Sequence, residues 1–216
     1  MEGTSSISSI NDYSARPRKT NLFMCKIYLG VYSLAEYYFD METTGFDFDE
    51  DEIITIQWQR VSGYTGEPID ELNILKRWEY ENTENAEKVM IETFMPNLKC
   101  RRWDFVFAGK NLTFDFCLLD NRMRQYGLGG FDIRCLYDRA ILDIKPILVM
   151  INNGNFIGYE KVMPKTNPLE NRDIPALYRQ GKYDRIVQYI RDEAEDFIKA
   201  YQVLKREMPN LRGLLT

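Results

Sequence analysis

No histidine occurs among the 216 residues of this chain. Its absence removes a histidine general base, a Ser-His-Asp triad, a Cys-His pair and histidine-ligated zinc together. Any hydrolytic chemistry must therefore draw on carboxylates, lysine, tyrosine or a metal-bound water. Cysteine is scarce: Cys25, Cys100, Cys117 and Cys135 are scattered, with no Cys-x-x-Cys pair. That spacing argues against structural zinc and for reduced thiols, which makes a cytoplasmic setting the expectation. No apolar run approaches the roughly eighteen residues of a membrane helix, so no membrane partner is expected. Net positive charge is missing as well. The formal charge is −5, and bulk electrostatics does not draw this chain to a nucleic acid. The basic groups Lys99, Arg101, Arg102 and Arg179, Lys182, Arg185 read as solvated surface.

What remains is ordinary globular composition, with 44% apolar and 28% charged residues. The length suits one α/β domain with a full core. Residues 1–20 are polar, lack the apolar core of a secretory signal, and are expected to form a disordered leader to a single domain over 21–216. Residues 21–40 carry aromatic and β-branched stretches suited to strands. Ile53 to Val61 alternates as a second strand, residues 62–68 form a turn, and Leu72 to Tyr80 reads as a third strand. A helix is expected from the cap-like run at Asn82 to about Leu98, with Pro96 near its end, and a short buried strand from Asp104 to Gly109. A helix from Thr113 to Tyr126 stops at Gly127-Leu128-Gly129-Gly130. A strand within Ile133 to Asp143, a short helix from Ile144 to Met150, a loop from Asn152 to Asn171 and a long helix from Tyr183 to Met208 complete the chain. The expected class is α/β: an antiparallel opening meander, then parallel strands, in one mixed sheet flanked by helices.

Asp40-Met41-Glu42-Thr43-Thr44-Gly45, entered from Tyr37-Tyr38-Phe39, is the most informative stretch. Strand side chains alternate with period two, so Asp40 and Glu42 project from one face at the end of an apolar strand. Two carboxylates held together repel and resist ionisation. A divalent cation between them relieves that cost, and oxygen ligands suit Mg²⁺ or Mn²⁺.

Two further acids stand out. Asp115 lies in the first turn of the helix that follows Phe107-Ala108-Gly109-Lys110-Asn111. Compensation of the helix dipole is its simple role, and Asn111 reads as the cap. In the last helix, about 100° of rotation per residue puts Ile190, Ala194, Phe197, Tyr201 and Leu204 on one stripe facing the sheet. Asp192 then points away toward solvent. Tyr189 and Glu193 sit one turn apart on the stripe's flank, from which Glu193 can reach a site at the sheet edge. The plain alternative is an acidic, exposed helix face.

Together these stretches resemble the DEDD (DnaQ-like) 3′–5′ exonuclease superfamily, built on the ribonuclease H-like fold. Its first motif, Phe-Asp-x-Glu-Thr-Thr-Gly, is matched by Phe39 to Gly45, and its second, Asn-x-x-x-Asp, by Asn111 and Asp115. The third motif carries histidine in one branch and Tyr-x-x-x-Asp in the other. A chain without histidine resembles only the tyrosine branch, with Tyr189 as the tyrosine. The register departs here. Glu193 stands where aspartate is expected, and Asp192 is one position early and remains the alternative fourth acid.

The resemblance implies a 3′–5′ exonuclease acting on single-stranded DNA or RNA and releasing nucleoside 5′-monophosphates. It implies that Asp40, Glu42, Asp115 and Glu193 hold two Mg²⁺ or Mn²⁺ ions about 3.5–4 Å apart, while Tyr189 orients the attacking water. Thr43, Thr44, Gly45 and Asn111 become candidates for contacting the terminal nucleotide. With no polymerase or helicase segment in the chain, a polymerase, repair or RNA-processing partner is expected in trans. A catalytically impaired module that binds nucleic acid or protein is the alternative, and internal cleavage of an RNA–DNA hybrid is a third possibility.

Overall fold

The computed structural model describes residues 35–98, 105–130, 141–161, 163 and 165–214. The leader expectation over 1–20, the strand expectation over 21–34 and the Lys99, Arg101, Arg102 group lie outside them. Among the described residues five strands form one sheet, ordered β3-β2-β1-β4-β5. These are β1 (Ala35–Thr43), β2 (Ile53–Val61), β3 (Asn73–Lys76), β4 (Phe105–Gly109) and β5 (Ile141–Asp143). β1 pairs antiparallel with β2, and β2 with β3, which is the expected meander. β1 pairs parallel with β4, and β4 with β5, so the sheet is mixed as expected.

Among the described residues five α-helices flank it: α1 (Ala86–Phe94), α2 (Leu112–Gln125), α3 (Ile144–Ile151), α4 (Ile174–Arg179) and α5 (Tyr183–Leu214). The period-two alternation of β1 decides which layer meets which face. Phe39 and Met41 point to one side, into a cluster with Met90, Ile91 and Phe94 of α1 and Leu112, Phe116 and Leu119 of α2. Tyr38 points to the other, where Ala194, Phe197 and Tyr201 of α5 cover it. The expected stripe on α5 is the buried one, with Ile190 and Phe197 fully enclosed. No helix among the described residues is long and apolar enough to cross a membrane.

Several boundaries differ for local reasons. The cap of α1 is Asn85, inside the expected cap-like run, and its side chain accepts from Lys88 N at 3.0 Å. β3 ends at Lys76 because Arg77–Tyr80 coils into a 3₁₀ turn, where Arg77 pairs with Glu52. Past α1, Met95–Leu98 is 3₁₀, a tight turn that accommodates Pro96. α5 runs past Met208, with Pro209 inside it. The residues between α3 and α4 are mostly irregular, with 3₁₀ turns at Tyr159–Lys161 and Asn171–Asp173. Arg179, Lys182 and Arg185 are exposed, as read from the sequence.

Candidate active site

The carboxyl-terminal ends of the parallel strands β1 and β4 lead into one cavity of about 500 Å³, the position where open α/β sheets ordinarily take ligands. β1 delivers Asp40 and Glu42 from the same face, 8% and 3% exposed. Glu193 arrives from α5, on the flank of the buried stripe. Carboxylate oxygens of Asp40, Glu42 and Glu193 all lie within 4.8 Å of one another. Asp115, in the first turn of α2 and 4% exposed, lines the same cavity but stands outside that tight group of three.

The turn joining β4 to α2 sets the cavity floor. Gly109 closes β4 where a Cβ would fall 2.5 Å from Phe39 O and 2.6 Å from Leu112 Cδ2, so only glycine lets the two backbones approach. Asn111 follows at φ 57°, the left-handed region that asparagine tolerates. Its side chain does not cap α2, contrary to expectation. Instead the Asn111 backbone N–H donates to Asp143 Oδ1 at 2.9 Å, and the side-chain Oδ1 accepts from Lys145 Nζ at 2.7 Å. Asp143 also caps α3 through Lys145 N at 2.9 Å, so one carboxylate ties β5, α3 and the β4–α2 turn together.

Burial shapes the acids' chemistry. Desolvation pushes Asp40 up to about 6; Lys110 pulls against that rise and Glu193 adds to it. Burial also raises Glu42, with Asp40 and Glu193 pushing the same way. Asp115 rises through burial and then through Asp40 and Asp143. Tyr38, itself fully buried, donates its hydroxyl to Asp40 Oδ2 at 3.1 Å. Glu42 Oε1 is buried with no hydrogen-bond partner, a costly condition for a carboxylate oxygen.

A lysine enters this acidic group. Lys110 Nζ lies 2.9 Å from Glu193 Oε2 in an ion pair whose side chains are both 11% exposed. Burial works against the ammonium, but Glu193 and Asp40 outweigh it and hold Lys110 above the usual lysine range. Lys110 sits directly before Asn111 in the second motif, and its place in the sequence was the available signal for it. Asp143 and Tyr159 were missed too. Tyr159 comes from the irregular stretch, where no periodicity points to a cavity wall.

The remaining expected residues divide. Thr43 and Gly45 line the cavity. Thr44 does not: its hydroxyl donates to Asp51 Oδ1 at 2.8 Å and accepts from Glu52 N at 2.9 Å, which closes the turn after β1. Gly45 permits that turn, since a Cβ there would meet Asp51 Oδ2 at 2.3 Å. Tyr189 is fully buried and donates its hydroxyl to Asn171 Oδ1 at 2.5 Å. Burial, then Glu42 and Glu193, raise its pKa, so the phenol stays protonated. Asp192 does not point freely to solvent. It is half-buried and accepts from Asn167 Nδ2 at 2.7 Å and Gln188 Nε2 at 2.8 Å. One turn on, Asp196 accepts from Thr166 N and Oγ1 at 2.7 and 2.6 Å. These two acids fasten the 165–167 stretch to α5, and Glu193 alone of this run joins the β1 acids.

No family model matches the chain, and no curated protein does. Solved structures do match. The zinc-bound form of E. coli exonuclease I with single-stranded DNA superposes at a TM-score of 0.53 and 12% identity, over 84% of this chain and 42% of that one. E. coli exonuclease I with a 5cy-dA13 oligonucleotide gives 0.51 at 13% identity, over 84% and 42%. Product-bound exonuclease I gives 0.51 at 14% identity, over 84% and 45%. Likeness at this identity establishes the fold, which is the α/β ribonuclease H-like one. The chain spans less than half the length of these structures.

Proposed function

We propose that this protein is a metal-dependent 3′–5′ exonuclease of the DEDD (DnaQ-like) type, in its tyrosine branch, acting on single-stranded DNA or RNA. The observation that carries the reading is the convergence of Asp40, Glu42 and Glu193 within 4.8 Å, with Glu42 Oε1 buried and unpartnered. Three carboxylates this close, already penalised by burial, are what a divalent cation relieves. The donor set is all oxygen, which fits Mg²⁺ or Mn²⁺. Asp40, Glu42, Glu193 and Asp115 would hold two such cations, which when bound supply an activated water and stabilise charge on the departing 3′ oxygen.

The chain's own groups do the rest. Thr43 and Gly45 form the wall beside the acids, where a terminal nucleotide fits. Lys110 places positive charge next to the position of the scissile phosphate. Asn111 supports that wall through Lys145 and Asp143 rather than by reaching into the site unpartnered. Tyr189 acts as a positioning residue: while donating to Asn171 its oxygen still accepts, so it can orient a water at Glu193. Phe46 and Phe114 at the mouth offer faces on which bases stack. The structures similar to this chain include complexes with single-stranded DNA and with an SSB C-terminal peptide. That likeness supports, for this chain, a single-strand 3′ end as substrate and a partner acting in trans.

The test is a 5′-labelled single strand, DNA and RNA in parallel, incubated with Mn²⁺, Mg²⁺ or EDTA. Stepwise shortening from the 3′ end with release of 5′-monophosphates is expected with metal only, and Asp40→Ala is expected to abolish it without unfolding the protein. Undiminished shortening by purified Asp40→Ala would sink the assignment. A second reading, a module that binds strands without cutting them, draws on the Lys110–Glu193 ion pair. It predicts metal-independent retention of the intact strand in the same reactions.

A further inference from the structure

Lys110 is not accounted for by four acids and two cations. Its ammonium is 2.9 Å from Glu193 Oε2 and lies over the Tyr159 ring, 5.6 Å from the centroid. The lysine is fixed from behind as well, because Gly109 is locked against Phe39 and Asn111 N is bonded to Asp143. It is thus held at the acids rather than sampling solvent. An ammonium in contact with a carboxylate does part of what a divalent cation would do there. It also repels any cation approaching that oxygen.

We propose that Lys110 is a built-in counter-ion that reserves Glu193, so that the substrate-free protein holds one divalent cation, on Asp40 and Glu42, and admits a second only when Glu193 is released. The inference rests on the metal-site reading above. Charge arithmetic supports it. With cations bound and all four acids ionised, Asp40, Glu42, Asp115 and Glu193 carry four negative charges, and Lys110 cancels one of them. One divalent ion then leaves a single negative charge, whereas two would leave the site positive until a phosphate arrives. The lysine thereby couples the second cation to the anionic substrate, and productive loading waits for a strand.

The test is a Mn²⁺ titration of the full chain without nucleic acid, followed by the electron paramagnetic resonance of free Mn²⁺. The wild type is expected to bind one ion per chain. Lys110→Met is expected to bind two, with the second site tightened about tenfold or more, as loss of a neighbouring positive charge implies. The double variant Lys110→Met/Glu193→Gln is expected to return to one. Two ions in the wild type, or one ion with unchanged affinity in Lys110→Met, would overturn the proposal while leaving the metal site standing. No Mn²⁺ on any variant would remove the metal site itself and this inference with it. Should Lys110→Met be unfolded in EDTA, circular dichroism with added Mn²⁺ decides. Recovery of the fold with two ions bound supports the counter-ion role, and failure to recover assigns Lys110 to structure alone and overturns it.

Discussion

Glu42 on β1 and Glu193 on α5 come from opposite halves of the chain, yet their carboxylate oxygens approach within 4.8 Å. The approach is a product of packing. Ala194, next to Glu193, is 2% exposed and carries only a methyl group, so α5 can lie close to the sheet where the Tyr38 and Phe197 rings pack tilted at 5.0 Å. Burial of these apolar groups contributes the favourable free energy, at about 25 cal/mol per Å², that holds like charges together at the cavity. The fold thus imposes electrostatic strain on the site, and a cation can relieve it.

That strain predicts an unusual pH profile in EDTA. The Asp40 carboxyl titrates near 6 in the folded protein because it is buried, against 3.8 ordinarily. Between those values the folded state keeps a proton that the unfolded chain has released, so stability falls as pH rises. That difference corresponds to a loss on the order of 3 kcal/mol, complete once pH exceeds about 6. Glu42 and Asp115 are raised in the same direction and extend the decline upward. Asp40→Asn is expected to flatten the profile and to be more stable than wild type at pH 7.5 in EDTA. Urea melts across pH 4.5 to 7.5 measure this, and a wild type that gains stability over that range relative to Asp40→Asn contradicts the argument.

Tyr189 predicts a paired effect with Asn171. Its hydroxyl donates to Asn171 Oδ1 at 2.5 Å, and Asn171 lines the cavity. Tyr189→Phe removes one hydrogen bond worth about 1 kcal/mol, a small loss of stability. Its effect on kcat is expected to be larger, about a hundredfold, the lower end of what a side chain assisting proton transfer contributes. Asn171→Ala separates the two jobs. If Tyr189 works on water directly, Asn171→Ala leaves most of kcat intact; if it works by holding Asn171, both variants fall alike. Equal wild-type kcat in both variants would deny Tyr189 any part in the reaction.

Away from the cavity, Glu87 predicts a stability effect with no effect on metal. It is fully buried on α1 and accepts from Ile53 N at 2.8 Å, Arg122 Nε at 2.9 Å and Tyr126 OH at 2.5 Å. This carboxylate joins α1 to β2 and α2. Glu87→Ala leaves the Arg122 guanidinium without its buried partner, and breaking such a pair costs about 3–5 kcal/mol. Thermal denaturation is expected to show that loss, while the increase in melting temperature on adding Mn²⁺ is retained. A change below about 1 kcal/mol, the scale of an exposed ion pair, would show the network to be dispensable.

The sequence was legible where pattern and chemistry coincide. Asp40 and Glu42 follow from strand alternation, and the face of α5 that carries Glu193 follows from helical rotation about Ile190, Ala194 and Phe197. What was not legible depended on contacts between distant segments. Asp192 looked solvent-facing on a helical wheel, but Asn167 folds back over it from the irregular stretch. Asn111 looked like a cap, but its left-handed backbone turns the side chain to Lys145, a partner from α3. Thr44 belonged to a motif read as a substrate contact, yet Asp51 and Glu52 occupy its hydroxyl. Lys110 lies within a motif whose recognisable positions are its neighbours, Asn111 and Asp115. A buried lysine is recognisable only when the acid it meets is known, and Glu193 comes from another element.

The cavity mouth carries the last prediction. Phe46 is 73% exposed and packs edge-on against Phe114 at 5.7 Å, while Phe48 packs tilted against Phe114 at 5.4 Å. An aromatic left so open would ordinarily be covered, and both Phe46 and Phe114 face the cavity that holds the acids. On the proposed reading Phe46 stacks on a base near the 3′ end. Stacking of this kind is worth about 1–3 kcal/mol per base, so Phe46→Ala is expected to raise KM by about tenfold or more with kcat little changed, the signature of lost uniform binding. Every base has a π-face, so oligo-dA and oligo-dT should respond in the same direction. Phe46→Tyr keeps the ring and should retain wild-type KM. If Phe46→Ala leaves KM unchanged on both strands, Phe46 is surface cover for Phe114 and the stacking role is lost.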